Sequence, residues 1–207
     1  MSFLLFFIGS CGAKKNPAGQ THAVNQTANY QRIQGLNALL HSGDMIFRNG
    51  NDEVSRAARS FNRKDTSYSH CGLVLLENDS AFVYHALGGI YNPSQKLLRE
   101  PLERFCNPAE NNAVAVYRYP LNPSQLGTLE ATVRGYYAAG LKFDLYFNFL
   151  SDDRMYCAEF VFKSLNKALG NALASYVRTD TLPFGVTTDD LFLHPAARLM
   201  KKEKFIY

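Results

Sequence analysis

The sequence predicts an α+β domain, an antiparallel sheet packed on helices. Three observations predict it. Strand-like runs dominate the first part of the chain and are joined by short turns, as at His70–Leu76 and Ala81–Ala86 across Glu77-Asn78-Asp79-Ser80. Helical periodicity dominates later, from Ser124 to Ala139 and again from Cys157 onward. A meander of strands followed by helices fits α+β better than alternating βαβ units, and no GxGxxG or Walker sequence argues for a nucleotide fold.

The elements follow in order. Residues 21–41 place Val24, Ala28, Ile33, Leu36, Leu39 and Leu40 at helical spacing, with Gly35 as a weak point. Ser42-Gly43-Asp44 ends that helix, and Met45-Ile46-Phe47 is a short strand before an Asn49-Gly50-Asn51 turn. Asp52 to Phe61 reads as a helix capped by Asn51 or Asp52, with Val54, Ala57, Ala58 and Phe61 on one face. The His70–Leu76 and Ala81–Ala86 strands come next, and Gly88-Gly89 closes the second. Val114–Tyr119 is a further strand, stopped by Pro120. Leu126, Leu129, Val133, Tyr136 and Tyr137 are in phase on one helix; Phe160, Val161, Leu165, Ala168 and Leu169 form the stripe of the last strong one.

With 207 residues, 46% of them apolar and 19% charged, the chain has material for one core plus extensions and is no disordered polymer. No run approaches the ~18–20 apolar residues of a membrane span. The net charge of +4 is mild, and its densest cluster, Lys201-Lys202-Glu203-Lys204, reads as a solvated tail rather than a nucleic-acid stripe. Four cysteines, Cys11, Cys71, Cys106 and Cys157, share no CxxC spacing, so neither a zinc ribbon nor a disulfide scaffold is indicated. His22, His41 and His194 share no ligand spacing either, and neither a metal nor a cofactor is expected.

The first residues carry their own signal. The apolar run Phe3–Ile8 precedes Gly9-Ser10-Cys11, which resembles a bacterial lipobox, and the chain then turns polar and loose to Gln20. The run is shorter than the usual ~7–15-residue apolar region and no Lys or Arg precedes it. On this reading Cys11 is a lipidation candidate that would attach the protein to the outer side of a bacterial membrane; the plainer reading is an apolar segment with an ordinary thiol. The expected organisation is a lipoprotein signal and linker over 1–20, an N-terminal helix over 21–41 and a catalytic domain over 42–207.

The chemistry centres on Cys157. It follows the polar stretch Asp152-Asp153-Arg154-Met155-Tyr156 and opens the best amphipathic helix. A thiol there meets the positive end of the helix dipole, which favours the thiolate, although a buried structural thiol is the common alternative. A nucleophilic thiolate needs a histidine base. His70 starts one strand of the predicted hairpin and His85 ends the other; a turn centred near residue 78 makes them near cross-strand neighbours, so one ring could act as base while the other orients it. Tyr68 and Tyr156 flank these positions and are candidate oxyanion donors. Glu159, Asp44 and Cys71 read as structural, at the helix start, in a turn and in the core respectively.

Three stretches resemble the permuted papain-like amidases of the YaeF/YiiX family: Ser42–Arg48 running on through Ser69-His70-Cys71-Gly72-Leu73-Val74; Val116-Tyr117-Arg118; and Lys142–Phe147 followed by Ser151–Val161. Thr187-Thr188-Asp189-Asp190-Leu191-Phe192 fits a C-terminal element of the same family, so the resemblance spans about 42–195. It implies a circularly permuted papain-like (NlpC-type) fold with Cys157 as nucleophile, His70 as base and the third polar residue at His85. A glutamate is frequent at that third place in the family, and a histidine there resembles the related lecithin:retinol acyltransferase group.

The expected activity is a cysteine hydrolase that cleaves an amide through a thioester at Cys157. The substrate would be a cell-wall peptide or an N-acyl compound, in the cell envelope. The alternatives are a lipid ester hydrolase or acyltransferase of the same fold, a non-catalytic envelope binding protein, and a cytoplasmic location. No nucleic-acid partner is expected.

Overall fold

The turn between the two histidine strands sets the register of the whole sheet. Asn78 and Asp79 both have positive φ, 47° and 62°, as a two-residue hairpin turn of right-handed strands requires. The flanking strands β2 (His70–Glu77) and β3 (Ser80–His85) therefore pair Glu77 with Ser80 and Leu73 with Tyr84. The structure is a computed structural model. It describes the backbone of residues 17–178 and 185–207, with side chains from residue 25 onward in those ranges. Cys11 and the 1–16 segment lie outside the described residues.

Around this hairpin a six-stranded antiparallel sheet forms in the order β4-β3-β2-β1-β5-β6, with β1 Met45–Gly50, β4 Leu98–Pro101, β5 Asn111–Arg118 and β6 Arg198–Lys204. The two faces bury different helices, because successive residues of a strand point to opposite sides. On one face Cys71, Leu73 and Leu75 of β2 meet α4 (Pro123–Ala138), α5 (Cys157–Ala168) and α6 (Thr188–Phe192) through Leu129, Val133, Phe160, Val161, Leu165 and Phe192. On the other face Ile46, Val74, Val83 and Val114 meet α1 (Pro17–Asn37) and α3 (Leu102–Phe105) through Ile33, Leu36, Leu102 and Phe105. Helix α1 thus packs on the back of the sheet, away from α5. Asn29 holds it there by bonds to the backbone N–H and carbonyl of Ile206, both 2.8 Å.

Most predicted elements form where periodicity places them. Helix α2 (Glu53–Ser60) has Asp52 as its cap, accepting from the Ser55 N–H at 2.9 Å, and α4 opens on an Asn122/Gln125 capping box with Pro123 in its first turn. Four differences stand out. Helix α1 begins at Pro17 rather than 21, since proline suits a first turn. Strand β1 runs on through Asn49 and Gly50, because β5 supplies its partners there. Strand β4 is too short and polar to announce itself, yet β3 templates it. The Lys201–Lys204 cluster is solvent-exposed as expected but lies in the edge strand β6, where lysines guard against further pairing.

Two acidic residues tie the chain together near the sheet ends. Asp44, fully buried, accepts two bonds from the Arg118 guanidinium, at 2.6 and 2.8 Å, and one from the His41 N–H at 2.9 Å, so it is a turn residue as the sequence suggested. Asp189 accepts the N–H groups of Arg63, Lys64 and Asp65 and the Thr187 hydroxyl, which docks the turn after α2 onto the start of α6.

Candidate active site

Cys157 is the first residue of α5, and its half-buried thiol opens into a pocket. The Cys71 thiol donates to its sulfur, and the N–H groups of Ala158, Cys71 and Cys157 point at it; these bonds hold the Cys157 thiol below its usual value against the opposing effect of burial. Cys71, buried and donating to its neighbour, is pushed well above the usual value. The helix start is fixed by Glu159, whose carboxylate accepts from the Tyr156 N–H at 3.2 Å and meets Lys163 Nζ at 2.8 Å. Glu159 is therefore structural, as its position suggested. Burial pushes its carboxyl up to about 7.

His70 and His85 come together on the opposite face of the hairpin. They are diagonal neighbours, and His70 Nε2 lies 2.9 Å from His85 Nδ1. His85 Nε2 lies 3.1 Å from a carboxylate oxygen of Glu100 on β4. Both rings pack against Phe105, and the Arg48 guanidinium sits over the far side of that ring, 4.7 Å from its centroid. Burial, then the positive charge of Arg48, holds His70 well below its ordinary value, and burial does the same for His85. The bond from His85 lowers Glu100. His70 Nδ1 makes no hydrogen bond among the described residues, although the residue is buried.

The paired histidines thus form as the hairpin predicted, but no hydrogen bond joins His70 to Cys157. The period-two alternation of β2 sends the Cys71 side chain towards α5 and the His70 ring to the other face. The Cys157 sulfur instead meets the peptide N–H that links His70 to Cys71. Of the tyrosine candidates, Tyr156 lines the pocket, but its hydroxyl is committed to Val186, donating to the carbonyl at 2.9 Å and accepting the N–H at 3.1 Å. Tyr68 is buried between Phe47 and Phe192 and lines no part of the pocket. Sequence reasoning missed Glu100, which lies on the unpredicted β4, and the contact of Cys71 with the nucleophile, which strand alternation does encode. Among the described residues no group of three or more His, Cys, Asp and Glu side chains is arranged to hold a metal.

The pocket beside Cys157 has a volume of about 270 Å³. Its walls are mostly apolar, with Val54, Ala57 and Ala58 of α2, Phe61 just after it, Phe147, Tyr156, Ala158 and Val186, and with Asn62, Ser69, Thr187 and Thr188 as the polar lining residues. Phe147, which lines the pocket, stands exposed, as do Leu145, Tyr146 and Leu150 of the same 141–156 loop. Buried Asp144 shapes that loop by accepting the N–H groups of Tyr146 and Asn148, and Lys163 pins it through the carbonyls of Phe149 and Ser151.

Comparison with known proteins places this geometry. The family model of the permuted papain-like amidase enzymes, YaeF/YiiX, C92 family, matches residues 39–190. The uncharacterized protein YiiX of Escherichia coli strain K12 is 30% identical over 131 residues, which cover 62% of this chain and 59% of that protein. The chain thus matches somewhat under two thirds of that relative's length. The crystal structure of metalloprotein YiiX from Escherichia coli O157:H7 superposes with a TM-score of 0.60 at 24% identity, covering 79% of this chain and 98% of that one; it shares the fold. With most of its length inside the family match, the chain belongs to the permuted papain-like amidases of the YaeF/YiiX, C92 family.

Proposed function

We propose that the protein is a cysteine hydrolase in which Cys157 attacks the carbonyl carbon of an amide whose acyl part is apolar. The observation that carries this reading is the placement of the Cys157 sulfur. It opens a helix, lies beside the Cys71 thiol and the N–H groups of Cys71 and Ala158, which favour its thiolate, and faces an apolar pocket. In the mechanism, His70 takes the Cys157 proton through Nδ1 as the sulfur attacks. The His70 ring lies on the other face of β2 from Cys157, so this step needs the start of β2 to rearrange when substrate binds. The N–H groups of Cys157 and Ala158 stabilise the tetrahedral oxyanion. His70 returns the proton to the leaving amine, and water cleaves the thioester. Both rings start neutral, so the proton moves with the attack rather than resting on an imidazolium beforehand.

A second reading uses the same residues on a lipid ester, with a second acceptor in place of water. The apolar walls favour an acyl chain over a polar peptide backbone in the pocket itself. A panel of N-acyl amines, cell-wall peptides and lipid esters separates the readings. The Escherichia coli O157:H7 relative is named a metalloprotein; the described residues of this chain offer no cluster of three or more His, Cys, Asp and Glu side chains that could hold a metal.

The test is the pH dependence of Cys157 alkylation, read by mass spectrometry in wild type and in His70→Ala, with Cys71 and Cys106 as internal controls. Fast labelling of Cys157 near neutral pH that slows in the variant supports the assignment. Labelling no faster than a thiol of pKa ~8.5 in both proteins removes it and leaves a binding module on this fold. Attachment to the cell envelope through Cys11 is part of the same proposal; metabolic labelling with an alkynyl fatty acid, lost in Cys11→Ala, checks it.

A further inference from the structure

The histidine pair does not end at His85. Glu100 lies on β4, paired with Val83 two residues before His85, so its side chain shares the face of the two rings. One carboxylate oxygen stands 3.1 Å from His85 Nε2, and the other lies 3.9 Å from Arg104. A carboxylate only accepts hydrogen bonds. His85 must then carry its proton on Nε2, which leaves Nδ1 as a bare acceptor. The atom 2.9 Å away, His70 Nε2, must in turn be the donor. His70 therefore keeps an unprotonated Nδ1, the one ring nitrogen of the four with no protein partner among the described residues. The groups facing the rings agree with neutral imidazoles: Arg48 from β1 and Arg104 from α3 are cationic, Glu100 is the one anion, and the Cys106 thiol and Phe105 ring add no charge.

We infer that Glu100 is a positioning residue that fixes the tautomers of both histidines across two hydrogen bonds, so that the bare Nδ1 of His70 is the nitrogen that takes the nucleophile's proton. The inference rests on the proposed role of Cys157 only for its consequence in catalysis. The tautomer chain itself stands on the geometry. It assigns a function to a residue two strands away from the thiol's neighbour, and it makes the hydrogen-bonded chain three members long: His70, His85 and Glu100.

The experiment uses full-length protein with ring-¹⁵N histidine, and long-range ¹H–¹⁵N spectra that report which ring nitrogen carries the proton. His70→Ala and His85→Ala assign the signals. In wild type the expected result is a proton on Nε2 of both rings. Glu100→Gln, whose side-chain oxygen still accepts, keeps that pattern. Glu100→Leu mixes the tautomers and slows alkylation of Cys157 by about tenfold or more, short of the ~10²–10⁴ that a positioned base supplies in full, and it alters the pH profile. A wild-type His70 protonated on Nδ1 overturns the inference, even with fast alkylation intact. So does a Glu100→Leu protein whose tautomers and profile match wild type. An ordinary alkylation rate combined with the expected, Glu100-dependent tautomers would instead sink the thiol mechanism and leave the tautomer assignment supported. The wild-type spectrum alone decides the first point, so a variant that misfolds does not end the test.

Discussion

Gly72 makes the histidine pair possible. A Cβ at this residue would lie 3.0 Å from the Cβ of His85 and 2.7 Å from both the Tyr84 carbonyl oxygen and a Val83 methyl. A side chain here would crowd His85, the partner of the His70 ring. Gly72→Ala should therefore destabilise the protein by roughly 1–3 kcal/mol, the usual cost of overpacking, because backbone rather than a flexible chain end blocks the methyl. It should also part the rings. Thermal unfolding and the ring-¹⁵N spectrum check this; an unchanged midpoint with an intact ring pair would show that the strands slide apart without cost.

Cys71 should tune the nucleophile without reacting itself. It donates to the Cys157 sulfur and so favours the thiolate. Cys71→Ala removes that bond, so the Cys157 pKa rises and labelling near neutral pH slows, while the rate at high pH stays close to wild type. The alkylation profile reads this directly. A profile that does not move to higher pH would mean that the backbone N–H groups alone set the thiol.

The apolar pocket should set acyl-chain length. Ala57 lines it from an exposed position on α2, so Ala57→Leu adds bulk without disturbing the core. Each methylene in such a pocket discriminates by about 1–3 kcal/mol. The ratio of kcat/KM for long over short N-acyl substrates should fall by roughly tenfold or more. A ratio equal to that of wild type would place the acyl chain elsewhere.

Stability should depend on pH through two opposed groups. His70 and His85 are held below the ordinary histidine value, so their contribution is complete above about pH 6.5 and is lost as pH falls through that value toward the folded pKa. Glu159, raised from 4.5 to about 7, acts in reverse: its contribution is complete below 4.5 and is lost as pH rises through 7. Glu159→Gln removes only the second effect. Its thermal midpoint, relative to wild type, should be higher at about pH 8 than at about pH 5. A difference that is constant across that range would mean that the Glu159 carboxyl titrates as an ordinary one.

Much of the site is legible in one dimension because its parts are local. The Asn78-Asp79 turn sets a register that the strands on either side must obey, so the meeting of His70 and His85 follows from counting residues. The start of α5 at Cys157 follows from a polar stretch running into a 3.6-residue stripe. The capping role of Glu159 needs only its place three residues after Tyr156.

What local pattern does not contain is the partner of each surface. Strand β4 has no alternation of its own; β3 creates it by offering an unpaired edge, and only then does Glu100 reach His85. Strand β6 carries five charged residues beside Leu199 and Met200 and forms because β5 offers it an edge. The alternation of β2 says that His70 and Cys71 face opposite ways, but which face receives α5 is decided by packing of distant segments, and that choice puts Cys71 rather than His70 against Cys157. The sequence by itself determined the α+β class, the hairpin register and the helix-opening thiol, since each depends on contacts a few residues apart. Tertiary structure alone decided the apolar pocket, the face of the sheet that meets Cys157 and the carboxylate at the end of the histidine pair, since each joins residues tens of positions apart through burial that no local period records.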